Sequence, residues 1–136
     1  MAATLVDSNV LIDSLNSGSP WQAWADDAME DALERGALFI NQVIYAEISA
    51  GFPTPEECDW ALSERWVERI PLPWPASFLA GRAFVEYRRR NGPKRSPLPD
   101  FFIGAHAAVD GLSLLTRDPN RYRSYFPTVD LIAPDS

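Results

Sequence analysis

The sequence is poor in the side chains that form disulfides, zinc sites and nucleophilic triads. Cys58 is its only cysteine and His106 its only histidine. A single cysteine excludes an internal disulfide framework and a cysteine-rich zinc site, and it makes a reducing compartment the default. Without a second histidine, a Ser-His-Asp triad is disfavoured. We therefore expect Cys58 to be inert packing, and His106 to be a packing residue rather than a general base.

Lysine is as scarce as histidine, because Lys94 is the only one and it lies in a proline-rich segment. The chain contains no Gly-x-x-x-x-Gly-Lys sequence, so phosphate binding by a P-loop is unsupported. Phosphatases of the haloacid dehalogenase type and receiver-type phosphoacceptors both need a lysine beside their aspartate. The phosphatase also needs a second acid where Asn9 stands. Both chemistries are therefore disfavoured.

Long hydrophobic runs are also missing. No segment reaches the roughly 18 apolar residues that a membrane span needs, and the N-terminus has no basic region before an apolar stretch. We therefore expect a soluble, cytoplasmic protein without a membrane partner. With 136 residues, 46% of them hydrophobic, the chain can bury a sizeable core, and we expect a single domain over residues 1–136.

Basic residues are outnumbered by acidic ones, giving a net charge of −7, but they are concentrated. Residues 82–123 contain nine of the 12 basic residues and four acidic ones, a local charge of +5; the remainder has three basic and 15 acidic residues, a charge of −12. Because phosphate contacts need Lys and Arg, this asymmetry predicts one face able to contact a polyanion. A solvated surface of uneven charge is the alternative.

Short apolar runs alternate with segments of helical periodicity along the chain. The strand candidates are Ala3–Val6, Ala37–Ile40, Val67–Leu72, Leu112–Thr116 and Val129–Ile132. The predicted helices are one capped by Ser8 or Asn9, then Trp21–Arg35, one from the N-cap Asn41 through Ala50, Glu56–Trp66, Pro75–Arg90 and Asp100–Val109. An exposed loop is predicted at Lys94–Pro99 and a turn at Arg117–Asn120. Because strands that alternate with helices pair in parallel, we predict a three-layer α/β/α fold around a central five-stranded parallel sheet.

Four acidic side chains are the candidates for chemistry. Asp7 and Asp118 each follow a predicted buried strand, at the edge where open parallel sheets bind ligands. Glu47 interrupts the apolar face of its helix, and a buried carboxylate needs a cation or a hydrogen-bond partner. Asp100 lies in the first turn of its helix. Three of these acids also have a structural explanation that stays open. Asp7 could serve only to start a helix, Glu47 could lie at the edge of the apolar stripe, and Asp100 could be favoured only by the helix dipole.

A divalent metal ion would explain the acids jointly. Carboxylates gathered at short range cannot all ionise without a cation among them. Oxygen-only ligands select hard ions, and the lack of a Cys/His ligand set argues against zinc, so Mg²⁺ or Mn²⁺ is the expected cofactor. Such an ion lowers the pKa of a bound water and orients it for attack on a phosphodiester.

The ordered set of motifs resembles the PIN domain, and specifically the VapC-type toxins of bacterial toxin-antitoxin pairs. The matching segments are Leu5–Ile12, Tyr45–Ile48, Asp100–Ala107 and Leu114–Asp118. Together they extend over nearly the whole chain, and their order and separations carry the resemblance more than any one fragment does.

The resemblance implies a divalent-metal-dependent endoribonuclease with an acidic pocket on a PIN-like fold. Asp7, Asp100 and Asp118 would be metal ligands, directly or through water, and Glu47 would be a ligand through water or a proton acceptor. Asn9 and Thr116 would orient these ligands. The resemblance also implies a homodimer and a cognate antitoxin that covers the site.

Two further groups of residues are candidates for binding partners. We predict that basic residues guide the RNA substrate toward the acids: Arg88, Arg89, Arg90, Lys94, Arg95 and Arg117. Five tryptophans are more than a small core easily buries, so some are expected to line a dimer or antitoxin groove, with burial in the core as the alternative: Trp21, Trp24, Trp60, Trp66 and Trp74.

The leading functional hypothesis is therefore a toxin that cleaves RNA with a metal-activated water. A PIN-like module that binds RNA or protein without cutting is the first alternative, and the four acids speak against it. A phosphatase of another α/β family is the second, disfavoured by the position of Lys94.

Overall fold

The computed structural model describes residues 2–90 and 97–134 of the protein. Its centre is a sheet of five strands, β1 (Thr4–Val6), β2 (Leu38–Ile40), β3 (Val67–Arg69), β4 (Ser113–Leu115) and β5 (Leu131–Ile132). All pairings are parallel, in the order β3-β2-β1-β4-β5. The predicted fold class, with its five parallel strands, is confirmed.

Seven helices within the described ranges flank the sheet: α1 (Ser8–Leu15), α2 (Gln22–Arg35), α3 (Gln42–Ser49), α4 (Pro55–Ser63), α5 (Trp74–Arg89), α6 (Leu98–Asp110) and α7 (Asn120–Tyr125). Helix α1 packs against α2 and α3, whereas α6 packs against α5 and α7. No helix among the described residues combines the length and the apolarity that crossing a membrane requires.

The two central strands explain why their sequences lack polar alternation. Strand β1 pairs with β2 on one side and β4 on the other. Leu5, Val6, Leu114 and Leu115 are fully buried, as expected for strands covered on both faces of a parallel sheet. Burying such side chains contributes roughly 1.5 to 3 kcal/mol each to folding.

Four predicted boundaries are wrong. Strand β5 begins at Leu131 rather than Val129, and the other three boundaries differ for a local reason. Helix α4 ends at Ser63 rather than Trp66, because Trp66 has a φ of 61°, which a right-handed helix cannot contain. Strand β3 ends at Arg69 rather than Leu72, and Pro71 in the missing part has no N–H for pairing. Helix α6 begins at Leu98, inside the predicted loop, since prolines are compatible with a first helical turn. The rest of that loop, residues 94–96, lies outside the described residues.

The first helix is capped by Asp7, in line with the open interpretation of Asp7 as a helix start and not by either of the predicted caps. The side chain of Asp7 accepts a hydrogen bond from the Ser8 N–H at 2.8 Å, so the N-cap is Asp7 rather than Ser8 or Asn9. The predicted cap of α3 is confirmed, because the Asn41 side chain accepts from the Ile44 N–H at 3.0 Å.

Helix α7 is absent from the prediction. The predicted turn at Arg117–Asn120 instead leads into a six-residue helix that packs on α6. The two helices approach closely at Gly104, where an added Cβ would lie 2.6 Å from Cε2 of Phe126 and 3.0 Å from Cδ1 of Tyr122. The lack of a side chain at Gly104 therefore lets α7 reach the end of the central strands.

Candidate functional site

The candidate site lies where the strand order changes direction. From β1 the chain proceeds outward to β2 and β3, and it returns to the other side of β1 with β4 and β5. Val6 and Leu115 are register partners, so the residues that follow them, Asp7 and Thr116, emerge side by side. Ligands of open α/β sheets bind at such a switch point, outside the carboxyl ends of the strands.

Asp7 is the buried centre of the site, with only 4% of its surface exposed. Its Oδ1 accepts from the Ser8 N–H, and its Oδ2 accepts from the hydroxyls of Thr116 at 2.8 Å and Tyr122 at 3.0 Å. Burial raises the pKa of Asp7 from 3.8 to about 6, against the lowering effect of the two hydroxyls, and the charges of Asp100 and Glu47 raise it further. The carboxyl therefore carries a charge that its surroundings only partly compensate.

Glu47 reaches the same place from α3. Its helix buries Ile44 and Ile48, while the half-buried Glu47 side chain accepts a hydrogen bond from the Ser8 hydroxyl at 2.8 Å. The expected partner of a carboxylate on this apolar face is thus Ser8. Burial first, and then the charge of Asp100, raises the pKa of Glu47.

Asp100 and Asp118 approach from the other side. Asp100 lies in the first turn of α6, and its Oδ2 accepts from Nη1 of Arg121 at 2.6 Å. Asp118 is exposed, and its Oδ2 lies 3.4 Å from Nδ2 of Asn9. The Asp118 N–H donates to the Thr116 hydroxyl at 3.1 Å, which fixes the backbone at this acid.

Asn9 and Thr116 lie between the acids. Nδ2 of Asn9 lies 3.5 Å from Oδ2 of Asp7 and 3.4 Å from the Thr116 hydroxyl, and its Oδ1 accepts from the Arg117 N–H at 3.1 Å. The Asn9 side chain therefore lies between Asp7 and Asp118 and does not cap α1. Thr116, fully buried, contacts both of those acids.

Three residues of the site were missed: Ser8, Arg121 and Tyr122. Ser8 had been considered only as a helix cap, and its contact with Glu47 joins positions 39 residues apart. Arg121 and Tyr122 belong to the unpredicted helix α7. The only sequence signal for that helix was a pair of aromatic residues four positions apart, Tyr122 and Phe126, both buried in the structure.

The four carboxylates are suitable ligands for a hard cation, but their side chains are not arranged around a common point. The four carboxylates offer oxygen ligands, and mutual repulsion contributes to the raised pKa values of Asp7 and Glu47, which a cation would relieve. Yet, among the residues that the structure describes, no three His, Cys, Asp or Glu side chains are placed to hold a metal ion.

His106 and Cys58 take the structural positions expected of them. His106 is fully buried, with Nδ1 2.9 Å from Nδ2 of Asn41 and Nε2 3.0 Å from Oδ2 of Asp110. Burial lowers the pKa of His106, so the neutral ring accepts from Asn41 and donates to Asp110. Cys58 is buried in the core.

The predicted RNA-guiding residues fall into three groups. Arg88, Arg89 and Arg90 are exposed around the end of α5; Arg90 donates to the Ser124 hydroxyl of α7 at 3.0 Å. Arg117 instead pairs with the buried Asp13 at 2.8 Å, and its guanidinium lies 5.6 Å from the centre of the Trp21 ring. Lys94 and Arg95 lie outside the described residues.

Most of the tryptophans are not core residues. Trp60, Trp66 and Trp74 are 67%, 71% and 87% exposed, and Trp21 is 37% exposed. Trp24 alone of the five is partly buried against the core.

Comparison with known proteins supports the resemblance found in the sequence. A family model described as "PIN domain" matches residues 4–126. The fold is similar to VapBC2 of Rickettsia felis bound to a promoter DNA fragment, with 17% identity, a TM-score of 0.75 and coverage of 98% of this chain and 99% of that chain. It is also similar to DNA-bound VapBC of Salmonella typhimurium, with 18% identity, a TM-score of 0.72 and coverage of 98% of both chains.

A third similar structure has a described substrate. It is VapC20 of Mycobacterium tuberculosis, a toxin that cleaves the sarcin-ricin loop, with 13% identity, a TM-score of 0.59 and coverage of 89% of this chain and 94% of that chain. At such identities the likeness establishes the fold. Among curated protein sequences, none matches the chain.

Proposed function

Because the chain belongs to the PIN domain family, we propose that it is a metal-dependent endoribonuclease that acts as the toxin of a toxin-antitoxin pair. The observation that carries the proposal is the meeting of acids from four separate segments at the β1/β4 switch point. Asp100 and Glu47 act electrostatically on the buried Asp7, and Asn9 links Asp7 to Asp118. The description of VapC20 as a toxin that cleaves the sarcin-ricin loop supports RNA as the substrate class.

In this proposal the four acids have different roles, which follow from their different surroundings. Asp7, Asp100 and Asp118 hold Mg²⁺ or Mn²⁺, directly or through water. Glu47 is the proton acceptor or a ligand through water, because its raised pKa brings it closer to neutral pH. When bound, the metal ion supplies an activated water and neutralises charge that develops on the phosphate.

Two neighbours hold the acids for this chemistry in the proposal. Thr116 donates to the Oδ2 of Asp7, and Nδ2 of Asn9 lies near both Asp7 and Asp118. Partners of this kind fix the orientation of ligand carboxylates, and their loss typically costs 10- to 100-fold in metal affinity or activity.

The RNA path in the proposal runs over the end of α5. Arg90 is held against α7, the helix whose Arg121 contacts Asp100, so the exposed Arg88, Arg89 and Arg90 lie on the part of the fold that adjoins the acids. Replacing all three by alanine should weaken RNA binding and reduce its salt dependence, because fewer counterions are released. Unchanged salt dependence would refute this path.

We propose a cognate antitoxin and a second copy of the chain as protein partners. The similar structures include a toxin-antitoxin complex from Klebsiella pneumoniae, and the exposed Trp60, Trp66, Trp74 and Phe78 are unusual on a surface that faces only water. A size measurement of the protein alone and with a candidate antitoxin tests both; a monomer that binds no antitoxin would contradict them.

One experiment decides between the functions. Purified protein is incubated with total RNA, and separately with a sarcin-ricin loop fragment, in Mg²⁺, in Mn²⁺ and in EDTA, and new RNA ends are mapped by sequencing. Asp7→Asn is compared with Asp27→Asn, which removes an exposed acid on α2. Cleavage should need the metal and fall more than about 100-fold in Asp7→Asn, since even partners of metal ligands are worth roughly 10- to 100-fold.

The alternatives give distinct results in the same assay. Cleavage in EDTA, or equal activity of the Asp7→Asn variant, would overturn the proposed mechanism. RNA retained on a filter without new ends would favour the non-cleaving module. Hydrolysis of p-nitrophenyl phosphate without RNA cleavage would favour the phosphatase.

A further inference from the structure

Arg121 occupies one carboxylate oxygen of Asp100, a ligand of the proposed metal ion. Its Nη1 lies 2.6 Å from Oδ2 of Asp100, and it reaches that oxygen from the first turn of α7. The contact is short even for a charge-assisted hydrogen bond. A guanidinium and a divalent cation repel each other, so the Arg121 contact competes with binding of the ion at Asp100.

The four carboxylates of the site differ in the charge of their partners. The carboxylates suit a hard cation, yet no three acidic side chains in the described part of the chain are placed around one point. Oδ2 of Asp7 accepts hydrogen bonds from Thr116 and Tyr122, which are neutral. Asp100 is the one that is held by a cation.

The Arg121 contact is also weak enough to break. The two side chains are 41% and 35% exposed, and ion pairs in such settings contribute little to stability. The neighbouring Tyr122 is buried and bonded to Asp7, which keeps α7 in place when Arg121 leaves. The guanidinium can therefore turn away while the helix stays docked.

We propose that Arg121 is an internal counter-ion of the acidic site, which holds Asp100 in the metal-free protein and is displaced by the divalent ion. The contact then sets the metal concentration at which the site fills. This inference rests on the proposed function, because it concerns the metal site of that function.

The test measures Mn²⁺ binding by electron paramagnetic resonance and calorimetry, without RNA. Arg121→Gln is compared with Arg123→Gln, which removes the same charge from an exposed position of the same helix, where Nη1 of Arg123 lies 3.5 Å from Oδ1 of Asn120. Arg121→Gln should bind Mn²⁺ about 2- to 5-fold more tightly, the effect of removing a partly exposed ion pair. Arg123→Gln should change the affinity much less.

RNA cleavage provides a second readout that a merely structural role would not give. The Mn²⁺ concentration that gives half-maximal RNA cleavage should be lower in the Arg121→Gln variant than in the parent. Equal or weaker Mn²⁺ binding in Arg121→Gln, or equal effects of the two variants, would overturn the inference.

A measurement on the unaltered chain keeps the test independent of folding. The guanidinium ¹H–¹⁵N signals of Arg121 should shift on titration with Mg²⁺ as it leaves Asp100, and signals that stay unchanged at saturation would refute the displacement. Tighter Mn²⁺ binding in Arg121→Gln, together with no RNA cleavage by any variant, would refute the proposed nuclease function but support the counter-ion role of Arg121. Metal-dependent RNA cleavage, together with an unaltered Mn²⁺ affinity of Arg121→Gln, would support the nuclease function but refute the counter-ion role.

Discussion

Substitution of Gly104 by alanine should loosen α7 from the acidic site. The new Cβ would lie 2.6 Å from Cε2 of Phe126 and 3.0 Å from Cδ1 of Tyr122, closer than van der Waals contact allows. Phe126 is only 3% exposed and packs edge-on against Phe101, with ring centres 6.1 Å apart, so its ring has little space to retreat. Overpacking of this kind typically costs about 1 to 3 kcal/mol.

Gly81→Ala provides the matched control, because Gly81 also lies inside a long helix and a Cβ there meets nothing within 4 Å. Both substitutions gain roughly 0.5 to 1 kcal/mol of helix propensity. Gly81→Ala should therefore stabilise the protein, and the difference between the two variants isolates the packing cost at Gly104.

Urea and thermal unfolding measure this difference. We expect Gly104→Ala to be less stable than Gly81→Ala by about 1 to 3 kcal/mol, or roughly 4 °C in Tm for each kcal/mol. Metal affinity should change as well, since Arg121 and Tyr122 move with α7. Equal stability of the two variants would refute the close approach of α6 and α7.

Three further predictions concern the buried polar groups. Because burial raises the pKa of Asp7 to about 6, the folded protein holds this proton more tightly than the unfolded chain, and its stability falls as the pH rises from about 4 to about 6. In EDTA, the stability of Asp7→Asn relative to the parent should thus be higher at pH 7 than at pH 4 by on the order of 2 to 3 kcal/mol in urea unfolding; a difference independent of pH would contradict this. Tyr122→Phe removes a hydroxyl that lowers the pKa of Asp7, so the midpoint of the Asp7 carboxyl signal in an NMR titration should rise, and an unchanged midpoint would count against the contact. Asn41→Ala removes the cap of α3 and the partner of His106, and should cost about 1 to 3 kcal/mol in thermal unfolding; a cost below about 0.5 kcal/mol would show that neither bond matters.

Much of the fold could be predicted from local sequence patterns. The runs that became β1 and β4 have no polar alternation because both of their faces are covered, and such runs between helical segments indicate a parallel sheet. The end of α6 at Gly111 was equally visible, since its left-handed φ of 65° favours glycine. The positions of Asp7 and Asp118 followed from the strand ends.

The side-chain contacts of the site could not be predicted from local sequence patterns. The link from Ser8 to Glu47 depends on how α1 and α3 pack, and no periodicity encodes that packing. Helix α7 is short, polar and preceded by strong turn residues, so local propensity argued against it, and its stability comes from burying Tyr122 and Phe126 on α6. Because helix α7 was not predicted, Arg121 was not predicted as a residue of the site.

The place of β1 in the sheet has a consequence for the order in which the protein is made. The first strand lies at the centre, and its register partner β4 arrives more than 100 residues later. The hydroxyl groups that hold Asp7 come later still, from Thr116 and Tyr122. Because synthesis proceeds from the N-terminus and such distant pairings close slowly, a nascent chain exposes the second edge of β1 and lacks the acidic centre until its last segment has emerged. We therefore expect the acidic site to assemble at the end of folding, so that fragments ending before β4 are inactive and depend most on protection from aggregation.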